Sequence, residues 1–94
     1  MALQFEWDPK KARRNLNTHG VSLDEASTVF RDPLSLTIDD PLHSIAEKRS
    51  VLIGQSRSGR TLVVVHTVHG ERIRIISARR ATKKERLEYE ENEE

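Results

Sequence analysis

Arginine is concentrated in the last apolar segment of the chain. Arg72 and Arg74 alternate with isoleucines in the sequence RIRIISARR, where Arg79 and Arg80 come last. Guanidinium groups bind phosphate oxygens in a bidentate manner and stabilise the charge that develops on a phosphorane. The alternative is a solvated sheet edge whose arginines pair with acids such as Glu71. For any single arginine the solvated sheet edge is the better explanation, whereas for the cluster as a whole we favour phosphate binding.

Two histidines could add proton transfer to these cations. Reaction at a phosphodiester without a metal needs a base for the attacking hydroxyl and an acid for the leaving oxygen. His19 or His66 could fill either role, with Arg60, Arg79 and Arg80 as the cations. His19 is equally well explained as a helix C-terminal residue, where the helix dipole stabilises positive charge. His66 is equally well explained as a polar group near the edge of a sheet.

Several classes of protein are excluded by composition. The 94 residues include no Cys, so a disulfide scaffold, a thiolate metal site and a Cys nucleophile are all ruled out. The histidines lack zinc-binding spacing, and we expect neither a metal nor another cofactor. No apolar run reaches the roughly 18 residues that a membrane helix needs. We expect a single cytoplasmic domain over 1–94 with no membrane partner.

The formal net charge of +1 conceals an uneven distribution. Residues 85–94 hold six Glu and one Arg, so this tail carries −5 and residues 1–84 carry +6. A basic body is typical of proteins that bind RNA or an acidic partner segment. The end of the tail, 90–94, is interpreted as a frayed helix terminus. The sharper alternative is a tethered polyanion that competes with RNA for the basic surface.

The pattern of apolar, polar and capping residues in the N-terminal third predicts one strand and two helices. Residues 3–7 place Leu, Phe and Trp on one face of a strand. A basic helix follows over 9–19, with Asp8 as its N-cap and mainly Ala12 and Leu16 as its thin apolar stripe. A capping box at Ser22 and Glu25 opens the second helix, which extends to about residue 30.

The C-terminal half has the pattern of hairpin-linked strands. Strands are predicted over 34–38, 49–55, 60–67 and 72–78, with a polar loop at 41–48 and a short helix from Lys83, opened by a capping box at Thr82 and Glu85. The third of these strands is the most apolar and should be central, with both faces covered.

The hairpin around Gly70 is predicted to place Arg72 and Arg74 across from Val68 or His66. A change of apolar phase later in the last strand indicates either two covered faces or a β-bulge. The element order predicts an α+β fold. We expect one antiparallel sheet of four to five strands, two N-terminal helices packed on one face, and a short C-terminal helix.

Nearly the whole chain resembles the BrnT family, bacterial toxins of type II toxin–antitoxin systems. The resemblance is carried by FEWDPKKARRNLNTHGVSLDEASTVFRDP (residues 5–33) and RIRIISARRATKKERLEYE (residues 72–90). It implies a RelE-like fold and a metal-independent ribonuclease that blocks translation. It also implies a BrnA-like antitoxin that neutralises the toxin in a heterotetramer. DNA would then be bound only indirectly, through the antitoxin.

The expected function is therefore an endoribonuclease toxin with RNA as its substrate. The alternative is a non-catalytic module that binds RNA or protein. The resemblance implies His19, Arg60, Arg79 and Arg80 as catalytic residues. Lys11 and Trp7 also match the family and are ranked after these four. Trp7 is explained first as a packing residue and second as a platform for base stacking. The predicted substrate-binding residues are Trp7, Lys11, His66, Arg72 and Arg74.

Overall fold

A computed structural model describes residues 3–39 and 49–91 as one five-stranded sheet with three helices. In chain order the elements are β1 (Gln4–Glu6), α1 (Pro9–His19), α2 (Leu23–Ser27), a 3₁₀ turn (Thr28–Arg31), β2 (Leu36–Asp39), β3 (Ser50–Gln55), β4 (Thr61–His69), β5 (Arg72–Arg80) and α3 (Lys83–Glu91). The predicted α+β class and element order are confirmed. The predicted loop at 41–48 and the last residues of the acidic tail lie outside the described residues.

The sheet is mixed, which corrects the prediction that it is wholly antiparallel. Its strand order is β1-β5-β4-β3-β2, and β1 pairs with β5 in parallel while the other neighbours are antiparallel. Parallel neighbours require a long crossover connection, and the chain between β1 and β5 contains both N-terminal helices. The sequence pattern could not set the direction of β1, because no tight hairpin joins it to another strand.

β4 is the central strand and is covered on both faces, as its apolar sequence predicts. Leu62 and Val64 have no exposed surface on the side of α1 and α2. Val63 packs on the other side against Tyr89 of α3, which is 2% exposed. Full burial of such a side chain contributes about 1.5–3 kcal/mol, so β4 is the main anchor of both layers.

The hairpin between β4 and β5 sets which side chains share a face. A two-residue loop begins at Gly70, whose φ of 60° suits glycine, and it pairs Thr67 with Arg74 and His66 with Ile75. The predicted register placed Arg72 and Arg74 across from Val68 or His66. It is wrong by at least one residue, because Arg72 pairs with His69. Because neighbouring strand residues face opposite sides, His66 points toward the helices and Arg74 points away from them.

A β-bulge accounts for the change of apolar phase in β5. Ile75 pairs with His66 and Ser77 pairs with Val65, so Ile76 is the extra residue. The bulge was one of the two predicted explanations, and the register confirms it. After the bulge, Ala78 and Arg80 face the helix side, while Ser77 and Arg79 face the side of α3.

Candidate functional site

The ends of α1 place His19 at the surface. The Asp8 carboxylate accepts a hydrogen bond of 2.8 Å from the Lys10 amide, and Pro9 occupies the first turn. Gly20 ends the helix with a φ of 68°, and its amide donates to the Leu16 carbonyl at 2.9 Å. Both predicted ends of this helix are confirmed, and His19 is therefore an exposed residue of the last turn.

Asn15 fastens α1 to the edge of β5. Its amide nitrogen donates to the Ala78 carbonyl at 2.8 Å, and its amide oxygen accepts from the Ala78 N–H at 3.0 Å. The same nitrogen donates to the Val21 carbonyl at 2.8 Å. β1 pairs with β5 only as far as Arg74, so the Asn15 side chain takes the place that a longer β1 would occupy.

Sequence reasoning missed Asn15. The predicted apolar stripe of α1 included Leu16, which is 50% exposed, whereas Asn15 is only 6% exposed. Its position three residues after Ala12 places it on the buried face of the helix, which was the one available signal. A helix with so few apolar residues is held to the sheet by hydrogen bonds as well as by burial.

A basic groove lies between α1 and β5. It has a volume of about 320 Å³ and is lined by Lys11, Arg14, Asn15, Thr18, His19, Ile76 and Ser77. No carboxylate is among these lining residues, and the two cations Lys11 and Arg14 lie on successive turns of the helix. The groove thus brings together two predicted site residues, Lys11 and His19, and adds Arg14, which was not predicted as a site residue. Its opposite wall is the bulged part of β5.

A second basic cleft lies where β4 begins and β5 ends. Its volume is about 430 Å³, and its lining residues are Gly59, Arg60, Thr61, Arg80, Ala81 and Arg86. It brings together Arg60 and Arg80, which were predicted as catalytic cations. Arg86 of α3 was not predicted as a site residue, because its place in the cleft depends on how α3 docks on the sheet.

Residues 7–85 of the chain match the family model described as the ribonuclease toxin BrnT of a type II toxin–antitoxin system. The chain belongs to the BrnT family. The 1.1 Å crystal structure of the ribonuclease toxin BrnT from Brucella abortus matches with a TM-score of 0.64, over 87% of this chain and 100% of that one. The two sequences are 20% identical, so this likeness supports the fold. A search of curated proteins gives no match.

Arg60 of this BrnT chain is held by an internal carboxylate. Its Nε donates to Glu25 Oε2 at 3.0 Å, and its Nη2 donates to Glu25 Oε1 and to the Gly20 carbonyl, the latter at 3.3 Å. Ser56 and Ser58 donate their hydroxyls to the same carboxylate at 2.7 Å each. Arg60, followed by the two hydroxyls, lowers the Glu25 pKa to about 2 against the opposing effect of burial.

Only half of the predicted capping box at Ser22 and Glu25 therefore forms. The Ser22 hydroxyl accepts from the Glu25 amide at 3.0 Å, but the carboxylate turns to Arg60 instead of back to Ser22. The resulting ion pair neutralises Arg60 and links it to Gly20, the residue after His19. Arg60 is thereby suited to holding the end of α1 in place.

Arg79 lies on the opposite side of the sheet from Arg80. Its guanidinium forms a bidentate ion pair with Glu85 of α3, with N–O distances of 2.8 and 2.9 Å. Arg79 lowers the Glu85 pKa to about 2, with further contributions from Thr82. Thr82 and Glu85 also form both hydrogen bonds of the predicted capping box, at 2.8 and 3.2 Å. The pair fixes α3 and separates Arg79 from the other predicted catalytic cations.

The His66 ring is buried against the helices. It is 6% exposed and meets the Phe30 ring edge-on, with 4.8 Å between the ring centroids. Burial lowers the His66 pKa below 6.5, which favours the neutral ring. The predicted contact of His66 with RNA does not fit this burial. The alternative, a polar group near the edge of the sheet, agrees with the burial but not with the central place of β4.

The remaining predicted binding residues lie outside both grooves. Arg74 forms a 3.0 Å ion pair with Glu6 on the neighbouring parallel strand. Arg72 is exposed at the β4–β5 hairpin. Trp7 is half-buried and packs against the core on the helix side, as its packing interpretation predicts. The BrnT chain thus distributes the predicted cluster over both faces of its sheet.

No helix in the described part of the chain is long and apolar enough to cross a membrane. Within residues 3–39 and 49–91, His, Asp and Glu side chains also form no group of three or more that could hold a metal ion.

Proposed function

We propose that this chain is an endoribonuclease toxin that cleaves RNA in the α1–β5 groove without a metal and thereby inhibits translation. The observation that carries the proposal is the grouping of Lys11, Arg14 and His19 in one groove whose lining residues include no carboxylate. Such a groove attracts the phosphodiester backbone and presents an imidazole beside it. Membership of a family described as ribonuclease toxins supports the same conclusion.

His19 is the proposed proton-transfer residue. Imidazole accepts and donates protons near neutral pH, whereas a guanidinium is too basic to act as an acid. His19 is exposed at the end of α1, so its ring is free to reach a bound 2′-hydroxyl or leaving oxygen. Lys11 and Arg14, on the same side of the helix, are suited to binding the scissile phosphate and stabilising its added charge in the transition state.

Arg60 and Asn15 are proposed as positioning residues for this groove. Arg60 contacts the Gly20 carbonyl while it is paired with Glu25, which fixes the peptide after His19. Asn15 fixes the middle of α1 against β5. Arg60 is therefore moved from the predicted catalytic set to a supporting role, and Arg79 is assigned to the attachment of α3.

The proposed partner is a cognate BrnA-like antitoxin, which would form a heterotetramer with the toxin in the cytoplasm and supply its contact with DNA. The type II toxin–antitoxin family supports such a partner. A basic groove that binds RNA is also a surface that an acidic segment of an antitoxin would cover. Toxicity would then be blocked by competition for the same cations.

The proposal is tested by incubating purified protein with single-stranded RNA in EDTA. Cleavage by the wild-type chain is expected, and His19→Gln should reduce its rate by about 100-fold or more. His69→Gln is the matched control, because His69 is exposed at the far end of β4. Translation inhibition is checked by amino-acid incorporation after expression of each variant without antitoxin.

The second candidate is the non-catalytic binding module. Salt-sensitive retention of intact RNA by the wild-type chain would favour it over the nuclease. Equal cleavage by the wild type and His19→Gln would instead keep the nuclease and remove His19 from its mechanism.

A further inference from the structure

Two arginines face the second basic cleft from different elements. Arg80 is the last residue of β5, and Arg86 lies in the first half of α3. Neither forms an ion pair with any carboxylate in residues 3–39 and 49–91. Arg60, the third arginine of the cleft, is already matched by Glu25. The cleft therefore carries two positive charges that have no carboxylate within ion-pair distance in the described part of the chain.

The position of Arg86 is fixed by the docking of α3. The Thr82–Glu85 capping box and the Arg79–Glu85 pair hold the first turn of this helix. Tyr89 holds the far end, because its ring is buried and its hydroxyl donates to the Asp32 carboxylate at 2.5 Å. A helix held at both ends keeps the backbone of Arg86 beside the cleft.

Two like charges lining one open cleft repel each other, and the arrangement becomes favourable when an anion lies between them. The hydroxyl of Thr61 in the same lining adds a neutral hydrogen-bond donor. Guanidinium groups from two elements can engage different oxygens of one tetrahedral anion. The chemistry of the cleft therefore matches a phosphate group.

The second cleft also adjoins the proposed active groove. Arg60 lines the cleft and donates to the carbonyl of Gly20, which directly follows His19 of the α1–β5 groove. The C-terminus of α1 thus separates two basic depressions. A single-stranded nucleic acid that occupies the groove can continue across this helix end into the cleft.

We propose that Arg80 and Arg86 form a second phosphate-binding site, which holds an RNA backbone phosphate next to the one in the α1–β5 groove. This proposal rests on the proposed function, since it names a binding site for the same substrate. Its role is to hold the RNA chain in position, and Arg86 takes no part in bond cleavage. The acidic C-terminal helix therefore contributes one cation of its own to substrate binding.

The test compares Arg86→Gln with Lys84→Gln. Both substitutions remove one positive charge from exposed positions of α3, but Lys84 does not line the cleft. The probe is an RNA oligonucleotide made uncleavable by 2′-deoxy substitution, and its Kd is measured over a range of salt concentrations. Arg86→Gln should weaken binding about tenfold and reduce the number of counterions released by about one. Lys84→Gln should change both quantities much less.

Equal effects of the two substitutions on Kd and on the salt slope would overturn the proposal. Thermal unfolding of both variants checks that α3 remains docked. If Arg86→Gln is less stable than wild type, Arg86→Lys is tested in its place. This variant keeps the positive charge, so it should keep the wild-type salt dependence of Kd while binding RNA more weakly.

A binding measurement with inorganic phosphate shows whether the cleft prefers free phosphate or the phosphate of an RNA backbone. Binding of free phosphate as tight as that of RNA would contradict a site for backbone phosphate. The binding assay requires no cleavage, so an inactive wild-type chain would remove the proposed nuclease and leave this test intact. Conversely, cleavage with no effect of Arg86 on binding would remove only the second site.

Discussion

Asn15 forms hydrogen bonds with both the N–H and the carbonyl of Ala78, at 3.0 and 2.8 Å. One side chain therefore replaces a strand neighbour at the edge of β5, just beyond the point where β1 ends. This contact determines the distance between α1 and β5. It consequently determines the width of the groove that contains Lys11 and His19.

Asn15→Ala is expected to lower the free energy of unfolding by about 3 kcal/mol. The substitution leaves both main-chain groups of Ala78 without their partner in a buried site, and each such group costs about 1–3 kcal/mol. Asn17→Ala, at an exposed position of the same helix, is the matched control. Urea denaturation provides the measurement, and equal stability of the two variants would contradict the role of Asn15.

The contrast between Arg79 and Arg80 gives a second prediction. Arg79→Ala breaks the bidentate pair with Glu85 and should lower the free energy of unfolding by about 1 kcal/mol, since the pair is partly exposed. Arg80→Ala removes an exposed side chain that has no carboxylate partner among the described residues, and it should leave stability within about 0.5 kcal/mol of wild type. Denaturation curves at neutral pH give the free energy of unfolding of both variants. A larger decrease for Arg80→Ala than for Arg79→Ala would contradict the prediction.

Low pH should remove the contributions that the carboxylates of Glu25 and Glu85 make to the free energy of unfolding through their ion pairs with arginines. The pKa values of Glu25 and Glu85 are about 2 in the folded chain, against an ordinary value of 4.5. Because the folded pKa is lowered, this stabilisation is complete above about pH 4.5 and is lost as the pH falls toward 2. Denaturation of wild type and Glu25→Gln from pH 6 to pH 2 should show a stability difference that shrinks on acidification. A difference that stays constant over this range would rule out the contribution.

His66 predicts a second loss of stability on acidification, which begins at a higher pH than the loss caused by the two carboxylates. Burial beside Phe30 lowers its pKa below the ordinary 6.5, so the unfolded chain binds a proton more readily than the folded one. Stability should therefore fall as the pH is lowered through and below 6.5. His66→Phe keeps an aromatic ring next to Phe30 and should remove this part of the pH dependence. An identical pH profile for His66→Phe and wild type between pH 7 and pH 5 would show that His66 does not contribute.

Local sequence signals predicted the ends of elements well. Asp8 and Gly20 delimit α1, and the Thr82–Glu85 box opens α3, because capping depends on residues within one turn of each other. The apolar sequence of β4 also predicted its central place. Each of these inferences relies on neighbours in the chain or on the total apolar content of one segment.

The site was less predictable because its contacts are distant in sequence. Asn15 meets Ala78 only because β1 is short, and Arg60 meets Glu25 only after the sheet and α2 have packed. The orientation of His66 depended on whether the β4–β5 turn begins at His69 or at Gly70, a shift of one residue. Cations that seemed to form one cluster were therefore assigned to different faces by tertiary structure.

The bulge at Ile76 has an evolutionary consequence. In a regular strand Arg80 would share a face with Arg72 and Arg74, since their positions differ by even numbers. The extra residue places Arg80 on the other face, beside Arg60 in the second basic cleft. The bulge also brings Arg79 onto the face of Arg72 and Arg74, so β5 presents three arginines on one face and Arg80 on the other. A substitution of Arg80 therefore leaves the three arginines of the other face unchanged, so the two surfaces can diverge independently among related chains.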